Sequence, residues 1–333
     1  MVATSTDPAH ARMWESAVPA VAFGNPVASH AIMAFSALCL SSTTHLAATA
    51  SYDFQVTAEL HYCQSLEYLR TSLTALDHIS ADAVLACAMV LIPCGLALAG
   101  STATRTQEPR PPSLRSPWLP HLTGWLALGS AIYGTKNGSP GTAEQMIPYP
   151  QLGIPVEPGQ HITDRGGSTL KGPAILLFDN IRRGRRTAMQ SLKAALVDAA
   201  AGSCGRDGAD NAEACTAAFA AVEYVMDYTL ECRVTNLFRA IFTCPILVSP
   251  RFVELYRRKD GLARAIYAHW LVLAMLLEDL WWVGDFGAER IAELAGLEEE
   301  LADGSCDRPL MKWPVQMRAE WRGIKQLMLA ADS

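Results

Sequence analysis

A single all-α domain of about ten helices is what this 333-residue chain predicts, and three observations carry that expectation. Apolar residues recur three or four apart in one long segment after another, no stretch keeps the alternation of a strand, and turn residues cluster between the periodic segments. Half of the residues are apolar and 18% are charged, enough to build a large core and far from the composition of a disordered chain.

Helices are predicted in order. Residues 26–50 are apolar at helical spacing, and in 53–72 Leu60, Cys63, Leu66, Leu69 and Leu73 fall three or four apart. Asp82 is the expected cap of a third helix over 83–99, a charge-free run containing Pro93 that suits a core helix better than a membrane span. Residues 100–120, with several prolines and Arg105, Arg110 and Arg115, are expected as a solvated linker. A short helix is expected over 122–133, and 134–173, rich in Gly and Pro, as a surface excursion or lid. Helices follow over 174–201, interrupted by the basic run IRRGRR at 181–186, and over 211–242, 251–258, 262–282, 288–302 and 315–329, broken by the turn 203–210 and by Pro245 and Pro250. The whole, residues 1–333, is expected as one layered domain.

The net charge of −6 and pI near 5.8 argue against a nucleic-acid footprint, which needs a basic surface. Nine cysteines without a C-x-x-C pair indicate neither a zinc cluster nor a disulfide framework, and reduced thiols point to a cytoplasmic or nuclear protein, cytoplasmic being the expectation kept. No Gly-rich phosphate loop, Ser/His/Asp order or H-E-x-x-H motif is present, so hydrolase, kinase and dehydrogenase readings lose their usual support.

Glu223, Asp227 and Glu231 stand four apart and so share one helix face, where three like charges need a positive partner. A divalent cation is the sharpest candidate, and a solvated acidic face is the plainer one. Arg233 and Asn236, a turn further on, are candidates for its polar rim. Glu278 and Asp279 follow the apolar run WLVLAMLL, where an ionised group is costly unless paired, so one of them is expected to face a pocket, or a cation such as Arg264 or Arg290. Asp179 and Asn180 close another apolar run, as an acidic metal motif or as a helix-terminal turn. Arg257, Arg258 and Lys259 form a cluster able to grip a diphosphate or simply a basic surface turn. Arg182, Arg183, Arg185 and Arg186 are expected to be solvated, bound to acidic neighbours, or at a pocket mouth. His269 reads as a satisfied core histidine. Trp270, Phe178, Tyr267, Trp281 and Trp282 are expected either to pack the core or to line a cavity.

Two stretches carry a resemblance. WESAVP at 14–19, AFGNPVASHAIMAFSAL at 22–38 and LHYCQSLEYLRTSL at 60–73 resemble the opening helices of the fungal-specific transcription-factor regulatory domain of the sterol uptake control type. CPILVSPRFVELYRR at 244–258, AIYAHWLVLAMLLEDLWWVGDFG at 265–287 and KWPV at 312–315 resemble its closing helices. The resemblance implies an all-α domain around an apolar lipid pocket. Members carry a six-cysteine zinc module that no cysteine spacing here can supply, so the expectation is either a lipid- or sterol-sensing coregulator without that DNA contact, or a pocket turned to another use.

The second use is that of the atypical humulene synthases of tropolone sesquiterpenoid pathways, all-helical fungal proteins of similar size. Resemblance to them implies a Mg²⁺-dependent terpene cyclase of secondary metabolism, a lyase that ionises farnesyl diphosphate to a humulene-like sesquiterpene. It implies an essential lysine one helical turn after a Leu or Met that shapes the product, which Leu255 and Lys259 match, as do Met189 and Lys193. On that reading Glu223, Asp227, Glu231 and Asp279 hold Mg²⁺, Lys259 and Leu255 are catalytic, and Arg257, Arg258, Arg233, Asn236, Trp270 and Phe178 meet the substrate. The expected partners are a prenyl diphosphate and a second copy in a homodimer, with no nucleic acid and no membrane span.

Overall fold

A computed structural model describes residues 13–43, 53–73, 78–100, 173–202, 205–231, 241, 244–245, 247–300 and 308–331. The described residues are all-α, as expected, with ten α-helices. They fall into two compact units, Met1–Ser168 and Thr169–Ser333. The expected linker 100–120, the helix over 122–133 and the lid 134–173 lie almost wholly outside the described residues.

In the first unit a turn of π-helix, Met13–Ala17, leads into α1 (Val18–Phe23), followed by α2 (Pro26–Thr43), α3 (Phe54–Leu73) and α4 (His78–Gly100). Asp53 starts α3 because its Oδ1 accepts from the backbone N–H groups of Gln55 and Val56, at 2.9 and 3.2 Å. Asp82 is not a cap: α4 begins at His78, and Asp82 lies inside it. From Ala83 to Leu96 every α4 side chain is buried, so the charge-free run is a core helix, and Pro93 sits within it.

Small residues on α2 (Ala28, Ala31 and Ala34) are fully buried and let neighbouring backbones approach closely. The approach is tied by Ser65 on α3, whose hydroxyl donates to the Val27 carbonyl at 3.0 Å. Further along the same helix pair, His30 Nδ1 and His61 Nδ1 stand 2.8 Å apart, so one ring donates and the other accepts. Burial, and then His61, holds His30 below the usual histidine range.

The second unit holds α5 (Pro173–Gly202), α6 (Arg206–Glu231), α7 (Pro250–Arg257), α8 (Gly261–Ala274), α9 (Phe286–Glu300) and α10 (Arg308–Ala331). Helix α8 is the centre: all its residues from Ala263 to Ala274 are buried, and α5, α6, α7, α9 and α10 pack around it. It ends sooner than the predicted 262–282. The chain tightens into a 3₁₀ turn over Met275–Leu277 and then into turns through Asp285, so Trp281 and Trp282 lie on turns. Gly284 takes a left-handed φ of 48° in that reversal, and the chain re-enters a helix at Phe286.

Among the described residues no single helix is long and apolar enough to cross a membrane. The pair Pro250–Arg257 and Gly261–Leu277 passes that test only together, and it is bent by 105°.

Helix α10 starts at Arg308, seven residues before the predicted 315, and carries Pro314 inside it. Helix α6 likewise starts at Arg206, within the predicted turn 203–210.

Candidate functional site

A cleft of about 680 Å³ lies between α5 and α10 of the second unit, with His269 of α8 at its floor. Helical spacing builds its walls: Asn180, Gly184 and Ala188 share one face of α5, and Pro309, Trp313, Gln316 and Glu320 share one face of α10. The floor and lower walls are apolar, through Ala188, Leu310, Trp313 and Met317.

The rim is polar and internally bonded. The Asn180 amide donates to Glu320 Oε2 at 2.8 Å, the Gln316 amide donates to Glu320 Oε1 at 2.9 Å, and Arg183 donates to Asn180 Oδ1. Lys312 adds a second exposed cation beside Arg183. The lining as a whole is mixed, because Thr187 and Ser191 of α5 stand among the apolar side chains.

His269 is fully buried in the floor, and its ring stacks on Trp313 with centroids 5.1 Å apart. Its Nδ1 lies 2.8 Å from the Ala265 carbonyl, which only accepts, so Nδ1 carries the proton and Nε2 is the lone-pair nitrogen. Burial pushes its pKa down to about 4, against the hydrogen bond to Ala265, which raises it. The ring is therefore neutral at pH 7. Because a histidine in the unfolded chain titrates near 6.5, the unfolded state binds more protons between that value and 4, and stability contributed by the neutral ring is lost as pH falls through this window. From pH 7 to pH 4 the loss is expected to reach about 3 kcal/mol, and His269→Gln should flatten that part of the profile in urea titrations.

The carboxylate stripe is placed differently from its expected role. Asp227 is 56% exposed, and its Oδ1 is bound by Arg185 Nη1 at 2.5 Å. The positive partner is thus an arginine from α5. Glu223 is half-buried on the same helix, and Tyr224 and Tyr228 stack beside the stripe at 6.2 Å. The side chain of Glu231 lies outside the described residues, as do Arg233 and Asn236. Asp279 is exposed on the turn after α8. Among the described residues, which leave out the side chain of Glu231, no three His, Cys, Asp or Glu side chains come together.

Leu255 and Lys259 do not share a helix face. The N–H of Lys259 bonds the Tyr256 carbonyl at 3.1 Å and that of Asp260 bonds the Leu255 carbonyl at 3.0 Å, the pairing of a Schellman turn. Lys259 takes the left-handed position there, with φ of 63°. The helix stops before a full turn separates the two residues, leaving Leu255 buried and Lys259 exposed. Arg257 is exposed, and Arg258 is also exposed and bonds Glu254 at 2.7 Å. Trp270 is core: its Nε1 donates to the Ile241 carbonyl at 2.8 Å, and its ring stacks on Tyr267. Phe178 is half-buried on α5 and does not line the cleft. Glu278 does find a cation, but it is Lys325 of α10 in place of Arg264 or Arg290.

Sequence reasoning missed Trp313, Gln316 and Glu320 as cleft residues, and it placed Gly184 only within a basic run. The available signal was a small residue on the same helix face as Asn180, opposite an aromatic next to a proline.

No family model matches the chain, and no solved structure does. The chain is similar to Sterol uptake control protein 2 of Saccharomyces cerevisiae, with 29% identity over 121 residues. That stretch is 36% of this chain and 12% of the yeast protein, so the similarity concerns a small part of the latter.

Proposed function

We propose that this chain is a ligand-sensing regulatory domain for sterol-like lipids, with the cleft between α5 and α10 as the ligand site and a protein contact as its output. The similarity to a protein named for control of sterol uptake carries this reading. The cleft supports it: its volume falls in the range of about 300–1,000 Å³ usual for small-molecule pockets, and its lining mixes polar and apolar side chains. The cyclase alternative lacks such support, because Asp227 is held by Arg185 and Lys259 stands on an exposed turn.

The test is equilibrium binding of tritiated cholesterol, presented from cyclodextrin, to the full chain. Saturable binding is expected, weakened about tenfold by Thr187→Trp, a loss of about 1.4 kcal/mol. Thr187 lines the cleft at an exposed position, so an indole there fills the ligand's space without disturbing the core. Binding that is absent, or indifferent to Thr187→Trp, removes the cleft reading. Release of a volatile hydrocarbon from farnesyl diphosphate with Mg²⁺ would install the cyclase in its place.

A further inference from the structure

Two histidines meet head to head where α2 packs on α3. His30 Nδ1 and His61 Nδ1 lie 2.8 Å apart, and the ring centroids are 5.0 Å apart, nearly that contact plus the two ring radii, so each ring points its Nδ1 at the other. Both residues are half-buried, within reach of solvent protons, and Tyr68 stacks on His30 with centroids 5.4 Å apart.

A contact of this kind has room for one hydrogen. With both rings neutral, one Nδ1–H donates and the other Nδ1 accepts. A first added proton goes to Nε2 of the donating ring, and the bond becomes charge-assisted. A second finds only the accepting Nδ1, which would then aim a hydrogen at the hydrogen of its partner while two cations face each other. It cannot be bound unless the rings part.

Among the described residues no carboxylate is set to offset that charge. Helix α2 carries no charged side chain besides His30, and its Cys39 lies about two and a half turns further on. On α3 the positions three and four from His61 hold Thr57, Ala58, Gln64 and Ser65. Glu59 and Cys63, two positions either side of His61, fall on another face, and Glu59 bonds Gln55. Glu67 and Arg70 are exposed further along. The described α4 side chains bring thiols to the interface, Cys87 at Ser65 and Cys94 at the Ala31 carbonyl, and burial keeps both protonated. Helix α1 has no ionisable side chain, and Glu15 before it is exposed.

We infer that His30 and His61 form an acid-operated latch in the first unit: the pair holds α2 on α3 with no added proton or one, and a second proton drives the rings apart and loosens that helix contact. Its place gives it leverage. Ser65 ties α3 to Val27 about one turn away, and the buried Ala28, Ala31 and Ala34 hold the helices close, so separating rings pull on the whole contact. The unfolded chain takes up both protons near about pH 6.5, whereas the folded pair resists the second, so stability of the first unit is lost as pH falls below that value. Burial, and then His61, lowers His30 in the same direction. The latch lies in the first unit and stands apart from the ligand-sensing reading.

The experiment is a pH titration of the full chain, isotope-labelled in its histidine rings and read by NMR, with His30→Gln and His61→Gln assigning the two signals. In wild type the pair is expected to protonate in two separated steps, the lower one below the single step of the remaining ring in either variant. Hydrogen exchange of the α2 and α3 amides, corrected for its intrinsic pH dependence, is expected to quicken about tenfold across the lower step, the worth of about one hydrogen bond. His61→Gln should remove that rise, because the Gln amide oxygen accepts from His30 in either protonation state. Thermal melts report folding, and His30→Gln supplies the reciprocal test if His61→Gln fails to fold. Coincident steps in wild type, at the same pH as in the variants, overturn the inference. So does an exchange rise that is absent in wild type or persists in a folded variant.

Discussion

Replacing Lys325 by Met is expected to destabilise the second unit by about 2–4 kcal/mol at pH 8 and by much less at pH 5.5. Glu278, whose side chain is 3% exposed, accepts from Lys325 Nζ and from Trp321 Nε1 through the same oxygen, the latter at 2.5 Å. Its Oε1 has no partner among the described residues. Lys325 also reaches Asp285 at 2.6 Å and lies 5.1 Å from the Trp321 ring centre, so one ammonium ties α10 to the turn after α8.

Removing that ammonium strands a carboxylate. The cost sits below that of a wholly buried pair because Lys325 is itself partly exposed. The pH dependence follows from Glu278, which burial raises to about 7, against the opposing pull of Lys325 and Trp321. An acid raised in the folded state stabilises below its unfolded value near 4.5, and that contribution fades as pH climbs to about 7. Without Lys325 the window extends further upward, so the deficit grows at pH 8, whereas at pH 5.5 the carboxyl is protonated in both folded proteins. Glu278→Gln in the Lys325→Met background should recover most of the loss, because the amide still accepts from Trp321 and carries no charge. Urea midpoints at the two pH values decide the matter. Equal losses at both would mean that Lys325 acts by packing on Trp321.

Gly287→Ala and Gly296→Ala are expected to change stability in opposite directions, although both glycines lie in α9. A Cβ at Gly287 would lie 2.9 Å from the Leu271 carbonyl oxygen, 2.9 Å from the Met275 amide nitrogen and 2.8 Å from Met275 Cγ. Two of these are backbone atoms of the neighbouring helix end, which cannot swing away. The start of α9 must move off α8, at a cost of about 2–3 kcal/mol typical of overpacking. At Gly296 nothing lies within 4 Å, and the ordinary helical preference for Ala applies, a gain of about 0.5–1 kcal/mol. Denaturant titrations of the two variants measure the difference. If Gly287→Ala were neutral, the close seat of α9 on α8 would be wrong.

Much of the helical pattern was legible along the chain. Helices α3 and α5 begin and end within a residue of their predicted limits, because apolar spacing and terminal residues act over a few positions. The errors lie at helix ends: α10 starts at Arg308 instead of 315, and the expected run to Trp282 ends at Ala274. Tertiary packing of Met275–Leu277 against its neighbours outweighed an uninterrupted apolar pattern.

The site was less legible. Four-residue spacing correctly placed Asp227 on an acidic face that needs a positive partner, and a basic run held the arginines expected to meet acidic neighbours. The pairing of Arg185 with Asp227 spans 42 positions, and that of Asn180 with Glu320 spans 140. No local pattern encodes which faces of two helices will meet. The same four-residue rule failed for Leu255 and Lys259, because a left-handed residue ended the helix between them.

Periodicity and chain punctuation were therefore enough to establish an all-helical protein with a buried, charge-free run within α4 and an apolar α8, since those signals act between residues a turn apart. The cleft and the cation beside Glu278 came from packing. Each depends on side chains brought together by helices distant along the chain, and their meeting reflects the burial of whole faces.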